Sequence, residues 1–77
     1  MTKSAFLNRF AELLELPSGT LTGEEILRDL EGWDSMKLIE LIAFVDLELS
    51  VNLLPEKLIK CQKINDIASL LGNNLTG

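Results

Sequence analysis

A helix start is written into Gly32-Trp33-Asp34-Ser35-Met36, immediately ahead of the most apolar stretch of the chain. The Asp34 carboxylate suits an N-cap, where it accepts hydrogen bonds from the free N–H groups of the first turn. Trp33 and Leu38 then take the two positions of a hydrophobic staple, which sets the angle at which the chain enters the helix. Ser35 becomes the first helical residue, its hydroxyl expected in solvent at the positive end of the helix dipole. Unpaired N–H groups and the dipole both favour negative charge there, so a phosphate ester on Ser35 is well tolerated.

The helix that follows is expected from Ser35 to about Ser50, with Asn52 as a left-handed stop. At ~100° per residue, Leu38, Ile42, Val45 and Leu49 form one apolar stripe with Leu41 at its edge, the expected core face. Met36, Ala43 and Leu47 lie roughly opposite with Glu40 beside them, while Lys37, Phe44 and Glu48 occupy a flank. A surface helix serving only the core has no need of apolar residues on its far side. Either other elements cover that side or a partner docks there.

Phe6, Phe10, Leu13 and Leu14 recur at helical spacing, which predicts a first helix from about Thr2 or Ser4 to Glu15, stopped by Pro17 and Gly19. The connection from Pro17 to Trp33 is long enough to imply function or local structure. Thr22 and Glu25 have capping-box spacing, and Ile26, Leu27 and Leu30 can share one face of a short helical turn that pins the loop to the core. Pro55 opens a short third helix to about Lys60, with Leu58 and Ile59 expected inward. Ile64, Ile67, Leu70 and Leu71 predict a fourth helix from Ile64 to about Asn73. Lys63 is a poor N-cap for it, so packing is expected to matter more there than local signals. The Asn73-Asn74 tail is expected to fray. The fold class is therefore all-α: a four-helix bundle of three main helices and a short third one, with a long structured loop between the first two.

Seventy-seven residues make one expected domain, 1–77; a chain of this size buries only ~60% of its unfolded surface and has no room for a deep pocket beside a full core. Its 47% hydrophobic and 25% charged content fits a small soluble domain. Twelve acids against seven bases give a net charge of −5, which argues against nucleic acid and favours basic partner surfaces. With no histidine and one cysteine, the chain cannot build a Ser-His-Asp triad, a Cys-His pair, a zinc cage or a disulfide. No catalytic residue and no metal ligand is expected. Cys61 reads as an inert, partly buried small residue, and Trp33 as a loop anchor. No signal segment or membrane-length apolar run is visible, so a cytoplasmic monomer is expected.

With these residues in place, the chain resembles the acyl and peptidyl carrier protein family. The likeness covers nearly all 77 residues: the first helix, the loop ending Leu30-Glu31-Gly32-Trp33-Asp34-Ser35-Met36, the apolar second helix, the Pro55 helix and Ile64-Asn65-Asp66-Ile67. The resemblance implies 4′-phosphopantetheine on Ser35, installed from coenzyme A by a phosphopantetheinyl transferase, with Asp34 and Met36 flanking the attachment point. It implies cargo held as a thioester, loaded by an acyl- or aminoacyl-activating ligase and passed to a transferase or synthase. Partners would dock mainly on the second helix, at Met36, Glu40, Ala43 and Leu47. Met36 stands where the family often has leucine, a conservative exchange. Lys37 and Leu47 replace acids common in fatty-acid carriers, which suits a dedicated polyketide, nonribosomal-peptide or aminoacyl-transfer carrier. A chain ending near Gly77 reads as a free-standing carrier, and a domain excised from a larger synthase has the same look. The rival readings are a helical adaptor without prosthetic group, and a subunit of an enzyme assembled in trans.

Overall fold

The computed structural model describes residues 1–76. Four helices follow in order, α1 (Lys3–Leu13), α2 (Ser35–Leu49), α3 (Pro55–Ile59) and α4 (Ile64–Leu71), with 3-10 turns at Leu27–Asp29 and Gly72–Asn74. No strand occurs among the described residues, only isolated bridges between Thr2 and Thr76 and between Ile26 and Lys63. The architecture is the all-α one expected, with three main helices and a short third.

Thr2 caps α1, its Oγ1 accepting from the Ala5 amide at 3.0 Å. The helix ends at Leu13, ahead of the expected Glu15. The Glu15 amide donates to the Glu12 carbonyl at 3.0 Å and the Leu16 amide to Ala11 at 2.8 Å, while Glu15 itself is left-handed at φ 60°. This double closure terminates the helix before Pro17 can. Likewise α2 stops at Ser50, φ 55°, and not at Asn52; the Ser50 amide donates to Asp46 at 3.0 Å.

The core line of α2 runs through Leu41 and Val45, both fully buried, so Leu41 is its centre and not its edge. Leu38, Ile42 and Leu49 are half-buried beside it. On the same side as Leu41, Phe44 is half-buried against the core. The Arg9 guanidinium lies 4.7 Å from the Phe44 ring centroid and 3.3 Å from Glu48 Oε1.

In α3, Leu58 is buried but Ile59 is 74% exposed, contrary to expectation. Successive residues point ~100° apart, and a helix of five residues docks only one of them. In α4, Ile64, Ile67 and Leu71 are buried while Leu70 lies at the rim. Lys63 offers no acceptor, but a local signal exists after all. The Asp66 carboxylate accepts from the Gln62 amide at 2.9 Å and the Lys63 amide at 3.0 Å, capping α4 from its third position. The C-terminal tail is also tied down, not frayed. The Thr76 amide donates to Met1 and the Lys3 amide to Thr76, each at 2.9 Å.

The long loop is pinned as expected. Leu21 and Leu27 are buried, and Glu25 reaches back to the amides of Thr22 at 2.9 Å and Gly23 at 2.8 Å. The Gly23 carbonyl accepts from the Asn65 amide at 2.9 Å, which brings the two backbones close. Gly23 has φ +102°, and a Cβ there would collide with the Asn65 amide oxygen. Gly23→Ala is therefore expected to lower the unfolding free energy by roughly 2 kcal/mol or more. Gly19→Ala, at φ +83° with open space around it, should lose only the backbone part, about 1 kcal/mol. Urea denaturation of the two variants checks the order.

Candidate functional site

Asp34 is extended and its Oδ1 accepts from the Lys37 amide at 2.9 Å. Its carbonyl accepts from Leu38 at 3.0 Å, which starts the helix. One residue earlier the Trp33 amide closes a turn onto Leu30 at 3.2 Å. The Trp33 ring stacks on Phe10, centroids 5.2 Å apart and planes 26° from parallel. Phe10 is fully buried and meets Phe6 edge-on at 6.1 Å. The α2 N-terminus is thus held from one side by an aromatic ladder rooted in α1.

Ser35 follows, exposed, as the first residue of α2. Among the described residues its hydroxyl makes no hydrogen bond, and the amides of Ser35 and Met36 are without partners. A nucleophilic oxygen, two unengaged N–H donors and the positive helix end therefore coincide at one solvent-facing point. Such a point suits an anionic substituent. It does not suit unaided catalysis. The chain has no histidine, and the neighbouring Asp34 carboxylate is engaged as the cap.

Met36, Ala43 and Leu47 are all exposed, Met36 at 67% and Leu47 at 83%. No other element covers them. Ile39, which the helical pattern alone did not single out, is 61% exposed and extends this apolar arc; its angle, ~40° from Ala43, was the available signal. Glu40 borders the arc and is paired with Lys37 Nζ at 3.3 Å. Asp34, Ser35, Met36, Glu40, Ala43 and Leu47 thus all lie on the outer side or the start of α2.

Cys61 is half-buried and its thiol is directed to the Lys57 carbonyl at 3.5 Å. Burial, and then the Asp66 charge, push its pKa upward, which disfavours the reactive thiolate. No group of acidic or thiol side chains among the described residues is placed to hold a metal ion. No helix of the described residues is long and apolar enough to cross a membrane.

A family model described as the highly reducing polyketide synthase sdgA, C-terminal ACP domain, matches residues 1–76. The chain belongs to this acyl carrier protein family. Comparison with curated proteins and with solved structures finds no match. Domains of this family are carriers and not catalysts, and that role extends to the chain in hand.

Two carboxylates that brace the carrier's loop give its acid sensitivity a sign. Burial pushes Glu25 up, but the Thr22 and Gly23 amides and the Thr22 hydroxyl outweigh it, and its pKa lies below the ordinary 4.5. The Lys63 and Gln62 amides hold Asp66 below the ordinary 3.8. With both folded pKa values depressed, the unfolded chain binds protons first as pH falls. The stability these groups supply is complete well above those ordinary values and is lost as the pH drops through the lowered ones. Glu25→Gln and Asp66→Asn should each be less stable than the parent at neutral pH and lose less on acidification. Urea midpoints at neutral and acidic pH measure this.

Proposed function

We propose that residues 1–77 act as a single carrier domain with 4′-phosphopantetheine attached to Ser35, transferred from coenzyme A by a phosphopantetheinyl transferase. The observation that carries this reading is the exposed, unbonded Ser35 hydroxyl at the start of α2, beside two free amides. These residues fit a phosphate ester. The Ser35 oxygen would hold it covalently, the Ser35 and Met36 amides supply donors, and the helix dipole favours its charge. When bound, the arm supplies a terminal thiol on which an acyl, aminoacyl or related group is carried as a thioester.

This chain's own part is to present and not to activate. Asp34 keeps its carboxylate on the Lys37 amide, so Ser35 must lose its proton to a base of the transferase. The outward apolar arc of Met36, Ile39, Ala43 and Leu47, with Glu40 at its edge, is the docking face for that transferase, for a loading ligase and for a downstream transferase or synthase. The match to a polyketide synthase carrier domain favours polyketide assembly as the pathway. A single cysteine, which leaves no internal disulfide to form, suits the reducing cytoplasm.

Incubation with coenzyme A and a promiscuous phosphopantetheinyl transferase should add one phosphopantetheinyl group by intact mass, and Ser35→Ala should add none. No addition, under conditions that modify another carrier, would favour the adaptor reading, which the exposed arc also accommodates. Leu47→Glu and Ile39→Glu should reduce the kcat/KM of this modification by about tenfold, the effect of ~1.4 kcal/mol of lost contact. Because both side chains are exposed, the unfolding free energy should change by less than about 0.5 kcal/mol. A large stability loss would show instead that these positions belong to the core.

A further inference from the structure

Because the exposed Ser35 hydroxyl makes no hydrogen bond among the described residues, nothing the side chain touches sets where its oxygen lies. The residue stands at the first helical position, where amides lack intrahelical partners and a helix end frays. Two bonds to Asp34 hold that turn. The Lys37 amide donates to its Oδ1 at 2.9 Å and the Leu38 amide to its carbonyl at 3.0 Å. Asp34 in turn takes its place from the residue before it. The Trp33 amide closes onto the Leu30 carbonyl at 3.2 Å, and its half-buried ring stacks on Phe10, centroids 5.2 Å apart.

The outward arc proposed for docking begins beside Ser35 and runs away from it. Leu47 lies twelve residues further on, about 18 Å along the helix axis at 1.5 Å per residue. A partner that grips Ile39, Ala43 and Leu47 therefore reaches the hydroxyl through the length of α2. The oxygen arrives in place only if the first turn keeps the register of the rest. Phe10 is fully buried and shares one core with Leu41 and Val45 of α2. Through it, Trp33 ties the frayable end of α2 to the same core that holds the middle of the helix. Misplacing a reacting group by about 1 Å can cost as much as ~100-fold in rate.

We infer that Trp33, through its stack on Phe10, is a positioning residue for phosphopantetheine transfer, setting where the Ser35 oxygen is offered to a transferase docked further along α2. This rests on the reading of Ser35 as the attachment point. In that step Ser35 Oγ bonds to the pantetheine-side phosphorus of coenzyme A, adenosine 3′,5′-bisphosphate leaves, and the serine proton goes to a base of the transferase. Trp33 touches none of the reacting atoms. When its stack is lost, the docking contacts stay in place and the oxygen alone moves. The turnover of the docked carrier then falls, while its KM is little changed.

Steady-state modification by a promiscuous phosphopantetheinyl transferase, followed by intact mass at varied carrier concentration, separates kcat from KM. Trp33→Leu should lower kcat about five- to tenfold with KM changed less than about twofold, whereas Leu47→Glu acts on KM. Trp33→Phe keeps a ring over Phe10 and should restore most of kcat. Phe10→Leu removes the same stack from a fully buried side chain that no partner can touch. It should reproduce the kcat loss and add little when combined with Trp33→Leu. Gly23→Ala, destabilised away from the stack, controls for lost stability and should keep the parent kcat. Hydrogen exchange reads the turn without the transferase. Protection of the Lys37 and Leu38 amides, relative to that of Val45, should fall about two- to tenfold in Trp33→Leu and hold in Gly23→Ala. Urea denaturation first shows each variant folded; if Phe10→Leu does not fold, Trp33→Leu, its phenylalanine rescue and the exchange pattern carry the decision. An unchanged kcat in Trp33→Leu would overturn the inference. So would a kcat loss that a folded Phe10→Leu does not share, which makes Trp33 a partner contact, or an equal loss in Gly23→Ala, which makes it a matter of stability. If the parent itself gains no mass, the carrier reading falls, and the transfer role of Trp33 falls with it.

Discussion

The place where α2 begins depends on one contact, the stack of Trp33 on Phe10. Phe10 is fully buried and braced edge-on by Phe6, so the indole rests on a ring packed into the core. Such aromatic pairs are worth about 0.5–1.5 kcal/mol beyond their buried area. The Asp34 cap adds about 1 kcal/mol immediately downstream. Together they tie the first turn of α2, and the Ser35 hydroxyl with it, to the middle of α1. The Ser35 hydroxyl is thus exposed and also fixed in register, and the fixing is done by the residues before the serine.

The loop between α1 and α2 is itself held in a comparable way. Three backbone bonds, from Leu27, Ile64 and Asn65, lace it to the α3–α4 junction. Glu25 and Asp66 reinforce the lacing from either side by holding backbone amides. In a chain this short, few core residues are available to hold a long connection. Hydrogen bonds to carboxylates, which are stronger than those between neutral groups, take over part of that work. The same lacing brings Arg28 and Ile59, distant in sequence, to the rim of one groove.

How far the sequence speaks depends on whether the deciding interaction is local. Asp34 and Pro55 act on their own first turns, and each sits where its chemistry placed it. Ser35 was legible for the same reason. Helix ends were less so. Glu15 and Ser50 adopt left-handed φ although neither is glycine or asparagine, and composition carries no trace of that. The core line of α2 is centred on Leu41 and Val45 because of the core residues of other elements packed around them, and periodicity within one helix does not contain those contacts. Ile59 misled for a related reason: one turn of helix gives too short a pattern to choose between adjacent apolar residues. Asp66 carries a readable signal, since an acid at the third helical position can cap from inside whatever residue stands at Lys63.

The distribution of charge around α2 bears on how such a carrier is recognised. The chain is acidic overall, yet two of the carboxylates on this helix are matched by cations of the same molecule, Glu40 by Lys37 and Glu48 by Arg9. Exposed pairs of this kind add little stability, about 0–1 kcal/mol each. Their consequence is for the surface a partner meets. Paired carboxylates offer less to a basic docking site, while Met36, Ile39 and Leu47 stand out of the helix with most of their area in water. Net charge favours encounter with basic surfaces, and for the docking proposed on this face the contact energy would come from burying apolar area, at about 25 cal/mol per Å². A docking face of the kind proposed would be less sensitive to salt once engaged than one built on carboxylates. Selectivity among partners then comes to rest on the shape of their apolar surfaces, more than on how many basic residues they carry.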